Sequence, residues 1–382
     1  VCIMPDTAVN LDASPAVPID QERSSLTQRQ LIWRRFLRNR LAVVGGIILI
    51  IFYVTMVIFP GFFSPYSHVV QREDYMSAPP QLPRWFDENG KFHRRPFVYG
   101  FTTELDMERF EWVHTIDTSQ KFPIYFITRG EEYRLLGFIP CNLHLFGVEP
   151  PGTFFIFGTD ELGRDLFSRI IHGGQVSLTV GLVGVVLTII LGSIMGTVSG
   201  YYGGLIDNII QRIVELLMSF PDIPLWAALS AALPPEWDPT KRFFAISAIL
   251  SLRNWTGLAR QVRAKILAYR QEDYTVAAQA MGASDRRIIL VHMLPNAASH
   301  IIVVATLSIP GMILAETSLS FLGLGIQPPA VSWGVLLQNA QEVAIVLDRP
   351  WLLLPGLFVV LAVLSFNFLG DGIRDAVDPY SN

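Results

Sequence analysis

Hydrophobic positions in this chain fall into six long runs separated by polar segments. A helix of about 20 apolar residues crosses a hydrocarbon core of roughly 30 Å. We therefore predict an all-α polytopic membrane protein with six transmembrane helices. The predicted helices cover residues 41–59, 176–198, 209–233, 243–258, 297–321 and 351–369.

Composition agrees with a membrane location, because 51% of the 382 residues are hydrophobic and only 16% are charged. The net charge of −4 argues against a nucleic-acid partner, and no basic stripe with interleaved aromatic residues occurs. The two cysteines, Cys2 and Cys141, are too few for a disulfide scaffold and match no zinc-binding spacing.

Basic residues set the expected orientation. Arg34, Arg35, Arg38 and Arg40 precede the first apolar run, and such flanks stay in the cytoplasm. We expect residues 1–28 to be a cytoplasmic tail and residues 29–59 to be an amphipathic segment plus the first transmembrane helix. A cleaved signal peptide is disfavoured because its apolar region is shorter and ends in a small-residue cleavage site.

Residues 60–157 are mixed polar and aromatic sequence, which predicts a folded insert of mixed α/β, partly β, structure. Within it, FPIYFITRGEEYRLLGFI is predicted to form two strands around a turn at Gly130. The insert follows a helix that starts in the cytoplasm, so we expect it to be extracytoplasmic. The remaining residues, 158–382, are expected to form a transmembrane domain of five helices.

Small residues and prolines shape the predicted helices. Gly192, Gly196 and Gly200 recur every four residues, which predicts close helix packing along one face. Pro221 and Pro224 lie inside the third run and predict a break or kink there. A short interfacial helix with an aromatic anchor is predicted to start at Trp333.

A polar segment, DYTVAAQAMGASDRRIILVHMLPN, lies between two apolar runs at residues 273–296. Its first half predicts a short helix that stops at Gly282. Ser284 is predicted to cap a second helix over residues 285–294, which ends at Pro295. The resulting bend between two helices suits docking of another protein better than catalysis, although an ordinary cytosolic hairpin is the alternative.

The spacing of residues in this segment resembles the coupling loop of ATP-binding-cassette (ABC) importer permeases. Two alanines are followed, after three residues, by Gly282 and, after nine more residues, by His292 and then Leu294-Pro295. Three further stretches are similar to the C-type permeases of the oligopeptide and dipeptide branch of that family: FGTDELGRDLFSRIIHGGQVSL, SLSFLGLGIQPPAVSWG and NFLGDGIRDAVDP. Val276 departs from the pattern, which usually has glutamate there, and Val331 replaces a frequent proline.

The resemblance implies three groups of site residues. The coupling loop contains Asp273, Tyr274, Ala277, Ala278, Gly282, Ala283, Ser284, Asp285, His292, Leu294, Pro295 and Asn296. The motif before the second span contains Gly158, Thr159, Asp160, Gly163, Arg164, Asp165, Ser168 and Arg169. The candidate gate or path residues are Pro221, Glu316, Ser318 and Trp333.

The resemblance also implies partners: a homologous second permease subunit, two ABC ATPase subunits or domains, and an extracytoplasmic solute-binding protein. The expected location is a bacterial or archaeal inner membrane, with both termini cytoplasmic. Peptides are the expected substrate, with oligosaccharides or nickel chelates as alternatives. A secondary transporter or channel is less favoured because the ionisable residues cluster at helix ends. Glu316 fits a gating role and a packing role equally.

The sequence contains no GxxxxGK[ST] loop to cradle nucleotide phosphates, and no HExxH or GxSxG motif. We therefore expect no catalytic, cofactor or metal site on this chain, with ATP and Mg²⁺ held by its partners.

The purified chain alone is expected to hydrolyse no ATP, because it has no phosphate-binding loop. Phosphate release in detergent micelles measures this. Addition of the ATPase partners is the positive control and should restore turnover, whereas sustained hydrolysis by the chain alone would contradict the prediction.

Overall fold

The structure is a computed structural model that describes residues 27–107, 111–234 and 236–377. The predicted tail therefore lies almost wholly outside the described residues, as does Cys2. The helices are α1 Gln28–Arg38, α2 Arg40–Phe52, α3 Pro60–Phe63, α4 Leu166–Tyr202, α5 Gly204–Ser219, α6 Asp222–Ala231, α7 Pro239–Tyr269, α8 Asp273–Ala280, α9 Asp285–Arg287, α10 Leu294–Phe321, α11 Trp333–Gln338, α12 Val343–Asp348 and α13 Leu354–Val377. Short π-helical turns cover Tyr53–Ile58 and Ile288–Met293, and 3₁₀ turns cover Glu73–Tyr75 and Pro350–Leu353.

Four helical segments in the described part of the chain are long and apolar enough to cross a membrane. They are Arg40–Ile58, Leu166–Tyr202, Asp285–Phe321 and Pro350–Val377. The bent pair formed by α5 and α6 would make a fifth. Six spans are therefore not confirmed. The predicted fourth span lies within the long helix α7, which contains Arg253 and Asn254 and is less apolar than the others.

The third predicted span is broken rather than continuous. Helix α5 ends at Ser219, and α6 leaves it at an angle of 90°. Pro221 occupies the N-cap of α6 with an extended backbone, φ −62° and ψ 140°. Pro224 lies in the first turn of α6, where a missing N–H costs little. The prolines therefore produce the predicted break, with the chain direction changed sharply.

Helix α4 packs against α7 through the predicted glycine face. A Cβ atom on Gly196 would lie 2.5 Å from the carbonyl oxygen of Ala259. Cβ atoms on Gly192 and Gly200 would each lie 2.9 Å from atoms of α7. The backbones of the two helices are therefore in direct contact, and the predicted close packing is confirmed.

The first and last spans also pack closely. A Cβ atom on Gly45 in α2 would lie 2.7 Å from the carbonyl oxygen of Ser365 in α13. Gly372 in α13 faces the methyl group of Ala42 with no space for a side chain. Asn39 separates α1 from α2, and its side chain caps α2 by accepting a hydrogen bond from the Ala42 N–H at 3.2 Å. The amphipathic α1 thus turns away from the span and packs along the end of α13.

The insert contains a four-stranded antiparallel meander in the order β1-β2-β3-β4. Its strands are β1 Arg84–Phe86, β2 Phe92–Asp106, β3 Glu111–Leu135 and β4 Ile139–Val148. Strand β3 pairs with β2 along its first half and with β4 along its second half. Val98, Ile124 and Phe154 form a small core where the two halves meet.

The predicted turn at Gly130 is wrong, because β3 continues through this residue to Leu135. A Cβ atom on Gly130 would lie 2.7 Å from the ring of His144 on β4, so the glycine serves close cross-strand packing. Glu131 is also drawn into the fold, since its carboxylate accepts hydrogen bonds from the Ser67 N–H at 2.6 Å and from Arg72 at 2.7 Å. The chain turns instead between Leu135 and Ile139.

Gly196→Ala is expected to lower the thermal stability of the chain, because its new methyl group would collide with the Ala259 carbonyl. Gly257→Ala is the matched control. A Cβ atom there meets no atom within 4 Å, and alanine favours a helix by about 0.5–1 kcal/mol over glycine. Thermal unfolding in detergent micelles compares the two variants. A midpoint for Gly196→Ala equal to or above that of Gly257→Ala would contradict the packing described here.

Candidate functional site

The segment after α7 forms the predicted helix–bend–helix. Helix α8 is followed by Gly282 with φ +76°, a left-handed conformation that favours glycine. Ser284 then takes the extended N-cap conformation of α9, although its side chain donates and accepts no capping hydrogen bond. The bend predicted at Gly282 is confirmed.

The predicted end of the second helix at Pro295 is wrong. Helix α9 continues through the π-helical turn Ile288–Met293 into α10, so one helical segment runs from Asp285 to Phe321. Pro295 lies inside this continuous segment, directly after the π-helical turn, and does not end the helix. The coupling-loop candidate is therefore joined to a membrane span without a break.

The two faces of α8 differ in burial. Thr275 and Ala278 are 0% and 2% exposed and pack on the chain's own core. Ala278, predicted on the docking face, belongs instead to a cluster with Tyr201, Ile266 and Met293. The small side chain lets α8 lie close to the ends of the membrane helices. It does not line the exposed surface of the loop.

The opposite face is exposed and partly apolar. Met281 is 81% exposed, Val276 is 51% exposed and Tyr274 is 37% exposed. We call these three residues the loop patch. Met281 was not singled out from the sequence, and helical spacing would not have found it, because it lies three residues after the buried Ala278. Its exposure follows from the end of α8 at Ala280.

Polar contacts hold the loop on the helix ends. The Tyr201 hydroxyl at the end of α4 donates to the carboxylate of Asp285 at 2.7 Å. The Tyr269 hydroxyl at the end of α7 donates to the Asn296 carbonyl at 3.3 Å. Asn296 in turn donates to the His292 carbonyl at 2.8 Å. The loop is thus fixed to α4 and α7 as well as to α10. Of the other predicted loop residues, Asp273, Ala277 and Pro295 are exposed, and Ala283, His292 and Leu294 are half-buried.

A cavity of about 490 Å³, open on one side, lies between the α5–α6 bend and α10. Its lining comprises Pro221, Asp222, Ile223, Pro224, Trp226, Gly311, Leu314, Ala315 and Ser318. The structure therefore brings together Pro221 and Ser318, two of the four candidate path residues. Arg253 of α7 pairs with Asp222 at 2.9 Å and places charge at the edge of the cavity.

Glu316 and Trp333 do not line this cavity. Glu316 is 0% exposed and accepts hydrogen bonds from the hydroxyls of Ser177 at 2.9 Å and Ser320 at 2.7 Å. The backbone N–H of Trp333 donates to Ser177 at 3.1 Å. Glu316 thus joins α4, α10 and α11 through a buried hydrogen-bond network, which agrees with the packing role.

Helix α11 starts at Trp333 as predicted, but the predicted aromatic anchor is wrong. Trp333 is 0% exposed, and its ring N–H donates to the Ile170 carbonyl at 3.1 Å. Its ring packs against Phe52 and Phe358 of the first and last spans. The N-cap Ser332 sets the start of α11 so that the indole points into the helix bundle.

The motif before α4 contains a buried cluster of ion pairs between Asp160, Arg164 and Arg169, which we call the clamp. Asp160 is 1% exposed, binds Arg164 at 2.8 Å and contacts the buried guanidinium of Arg169. Asp165 caps α4 by accepting from the Ser168 N–H at 2.8 Å. Burial raises the pKa of Asp165 to about 6. Asp165 therefore caps the start of α4, whereas Asp160 lies in the preceding turn and holds both arginines.

Two glycines and a threonine of this motif contact the segment around Arg72 and Ala78 that follows the first span. Gly158 has φ +73°, and a Cβ atom on it would lie 2.6 Å from the Ala78 carbonyl. Gly163 has φ +70° and lies directly against the Arg72 carbonyl. Thr159 accepts from the Ala78 N–H at 2.7 Å. The motif thus fixes the path from the first span to α4.

Within the described ranges no group of three or more histidine, cysteine or acidic side chains is arranged to hold a metal ion. The arrangement instead combines an exposed loop with a cavity lined in part by α10, the helix into which the loop continues.

Comparison with known proteins identifies the class. The profile of the binding-protein-dependent transport system inner membrane component matches residues 176–380. The profile of the N-terminal TM domain of oligopeptide transport permease C matches residues 27–80. The chain belongs to the first of these families, and it is a multi-pass inner-membrane permease of the ABC-importer class.

Curated relatives agree with this family. A protein of Brucella suis biovar 1 named as a peptide permease is 39% identical over 246 residues, which are 64% of this chain and 80% of that protein. A di/tripeptide transport system permease protein of Pseudomonas aeruginosa is 40% identical over 270 residues, which are 70% of this chain and 81% of that protein. An inward-facing methionine ABC transporter matches 56% of this chain and 98% of its own chain, with 21% identity and a TM-score of 0.42.

Asp160→Asn is expected to destabilise the chain by about 3–5 kcal/mol, because it leaves the Arg169 guanidinium buried without a counter-charge. Glu215→Gln is the matched control. It breaks an exposed pair with Arg212, whose side chain is 83% exposed, and should change stability by less than about 1 kcal/mol. Thermal unfolding in detergent measures both. Equal midpoints for the two variants would show that the clamp stabilises nothing.

Proposed function

We propose that this chain is the permease subunit of an ATP-driven importer of di- or oligopeptides and forms half of its translocation path. The names of its relatives support the peptide substrate. Its proposed partners are a homologous second permease subunit, two ABC ATPase subunits or domains that bind ATP and Mg²⁺, and an extracytoplasmic solute-binding protein. The chain itself transports without catalysing a reaction.

The observation that carries this proposal is the direct connection between the exposed loop and the cavity. Segment Asp285–Phe321 has 37 residues, or about 55 Å of helix at 1.5 Å per residue. One end carries the bend at Gly282, and the other carries Ser318 at the cavity. A displacement of the loop by a closing ATPase pair would therefore move the cavity wall through one continuous helical segment.

The loop patch has the properties of a docking surface. An exposed apolar residue such as Met281 adapts its shape to a partner, and the neighbouring Arg286 and Arg287 are also exposed. The buried side chains of Thr275 and Ala278, with the hydrogen bond from Tyr201 to the exposed Asp285, hold this surface on the helix ends. Force applied to the patch would thus reach three membrane helices together.

The open side of the cavity suits a path shared between two subunits. Gly311, Leu314 and Ser318 follow one another on α10 at helical spacing, and no atom lies within 4 Å of a Cβ position on Gly311. A second permease subunit would close this side. Peptide backbones offer both donors and acceptors, and the Ser318 hydroxyl can bind either.

The proposed topology has six spans, which are the four apolar segments, the α5–α6 pair and α7. Helix α7 can cross the membrane despite Arg253, because Asp222 pairs with that arginine. The arginines of α1 and the basic residues near the loop would then face the cytoplasm, together with both termini.

Met281→Asp and Gly282→Val are each expected to abolish peptide uptake and to reduce co-purification of the ATPases at least tenfold. The first puts a carboxylate on the loop patch, and the second forces a β-branched side chain into a left-handed bend. Co-purification with the tagged chain and uptake of a radiolabelled dipeptide measure the effects.

Met107→Asp is the control for Met281→Asp, because Met107 is 69% exposed in the insert. It should leave association and uptake normal. Normal association and uptake in both loop variants would refute the docking role of the loop.

A further inference from the structure

The turn between β3 and β4 exposes apolar side chains. Phe138 is 71% exposed, Leu136 is 53% exposed and Ile139 is 44% exposed. We call residues 135–140 the hairpin tip. Leu136 also has a left-handed backbone, with φ +51°, which is uncommon for residues other than glycine and unfavourable for a bulky side chain. A hairpin that ended in water would be more stable with asparagine or glycine at this position.

The hairpin tip lies beside the end of the first span. Strands β3 and β4 pack on α3, which directly follows that span. The ring of Tyr133 on β3 lies against Gly61 of α3 and leaves no space for a side chain there. Leu135 and Leu136 line the same cavity, of about 600 Å³, as Val57 and Ile58. The tip therefore reaches back to the level of the last turn of the span.

This level corresponds to the edge of the hydrocarbon core. The span Arg40–Ile58 has 19 residues, or about 28 Å of helix, which is close to the thickness of the core. Its exposed side is apolar along its length, with Ile47, Ile50 and Ile58 at 52%, 64% and 39% exposure. The hairpin tip lies next to the end of this apolar surface, because Leu136 and Ile58 line the same cavity.

Charge next to the tip agrees with the same position. Arg134 is exposed, precedes the tip and lines the cavity between the hairpin and the span. An arginine whose stem lies along apolar surface can place its guanidinium among lipid phosphates. Apolar and aromatic side chains with a flanking cation are typical of segments that lie in the interfacial region.

We propose that the hairpin tip is a membrane anchor that inserts Leu136, Phe138 and Ile139 into the outer leaflet, at the boundary of headgroups and acyl chains. The anchor fixes the insert relative to the bilayer and holds β3 and β4 over the outer end of the first span. The proposal rests on the membrane location of the chain and not on its substrate, so it can fail while the proposed function stands.

Photo-crosslinking in the membranes of expressing cells tests the proposal on the full chain with its native partners. p-Benzoylphenylalanine replaces Phe138 in one variant and Phe126 in a matched control. Phe126 is 67% exposed and lies on β3, nine positions before Leu135 at the end of that strand, or about 30 Å along it. We expect phospholipid adducts at position 138 at least tenfold more abundant than at position 126.

A protein adduct at position 138, no lipid adduct there, or equal lipid adducts at both positions would each overturn the proposal. A second measurement covers any failure of the photoprobe variants to fold. Nitroxide labels on Phe138→Cys and Phe126→Cys, with Cys2 and Cys141 replaced by serine, are compared in phosphatidylcholine–phosphatidylglycerol vesicles. Position 138 should collide preferentially with membrane-soluble oxygen and position 126 with a water-soluble nickel chelate. Preference for the nickel chelate at position 138 would overturn the anchor.

Discussion

The structure depends on close backbone contact along helix α4. Its glycines form two faces, because Gly192, Gly196 and Gly200 meet α7, whereas Gly181 and Gly184 meet Ile313 and Met312 of α10. Water is absent from the hydrocarbon core, so the hydrophobic effect cannot drive such helices together. Van der Waals contact at short backbone distance does so instead. Helix α4 therefore determines where α7 and α10 lie, and with them both the loop and the cavity.

The buried polar groups specify how these helices meet. Glu316 is satisfied by two serine hydroxyls from different helices, and Trp333 joins the same network through its backbone N–H. An unpaired carboxylate at such a position would be costly, so the network favours one arrangement of α4, α10 and α11. Asp160 does the same for the turn before α4 by holding two arginines. The proposed action of the loop on the cavity would depend on the rigidity of the bundle around α10.

The insert differs from the transmembrane domain in the forces that hold it. Its sheet has only a small core, and several large apolar residues stay exposed. It is instead tied to the rest of the chain by specific contacts, such as the Glu131 carboxylate with Arg72 and the His144 ring with the Ser64 and Glu131 carbonyls. The two family profiles match residues 27–80 and 176–380, so the sheet lies between the matched regions. A membrane contact at the hairpin tip would supply the support that its small core does not.

Sequence alone determined the features that depend on local chemistry: the apolar runs, the bend at Gly282, the break at Pro221 and the glycine face of α4. Each follows from a residue's own backbone preferences or from helical spacing. Tertiary structure decided which side of each element is buried. Trp333 was predicted at an interface and Ala278 on a docking face, yet both are covered by helices distant in the chain. Gly130 was predicted in a turn, but it lies within β3, where His144 of the neighbouring strand occupies the space beside it. Pro295 resembled a helix end, but the π-helical turn before it carries the helix onward. The burial of Trp333 and Ala278 and the close packing of Gly130 depend on contacts between separate elements, which no local pattern encodes.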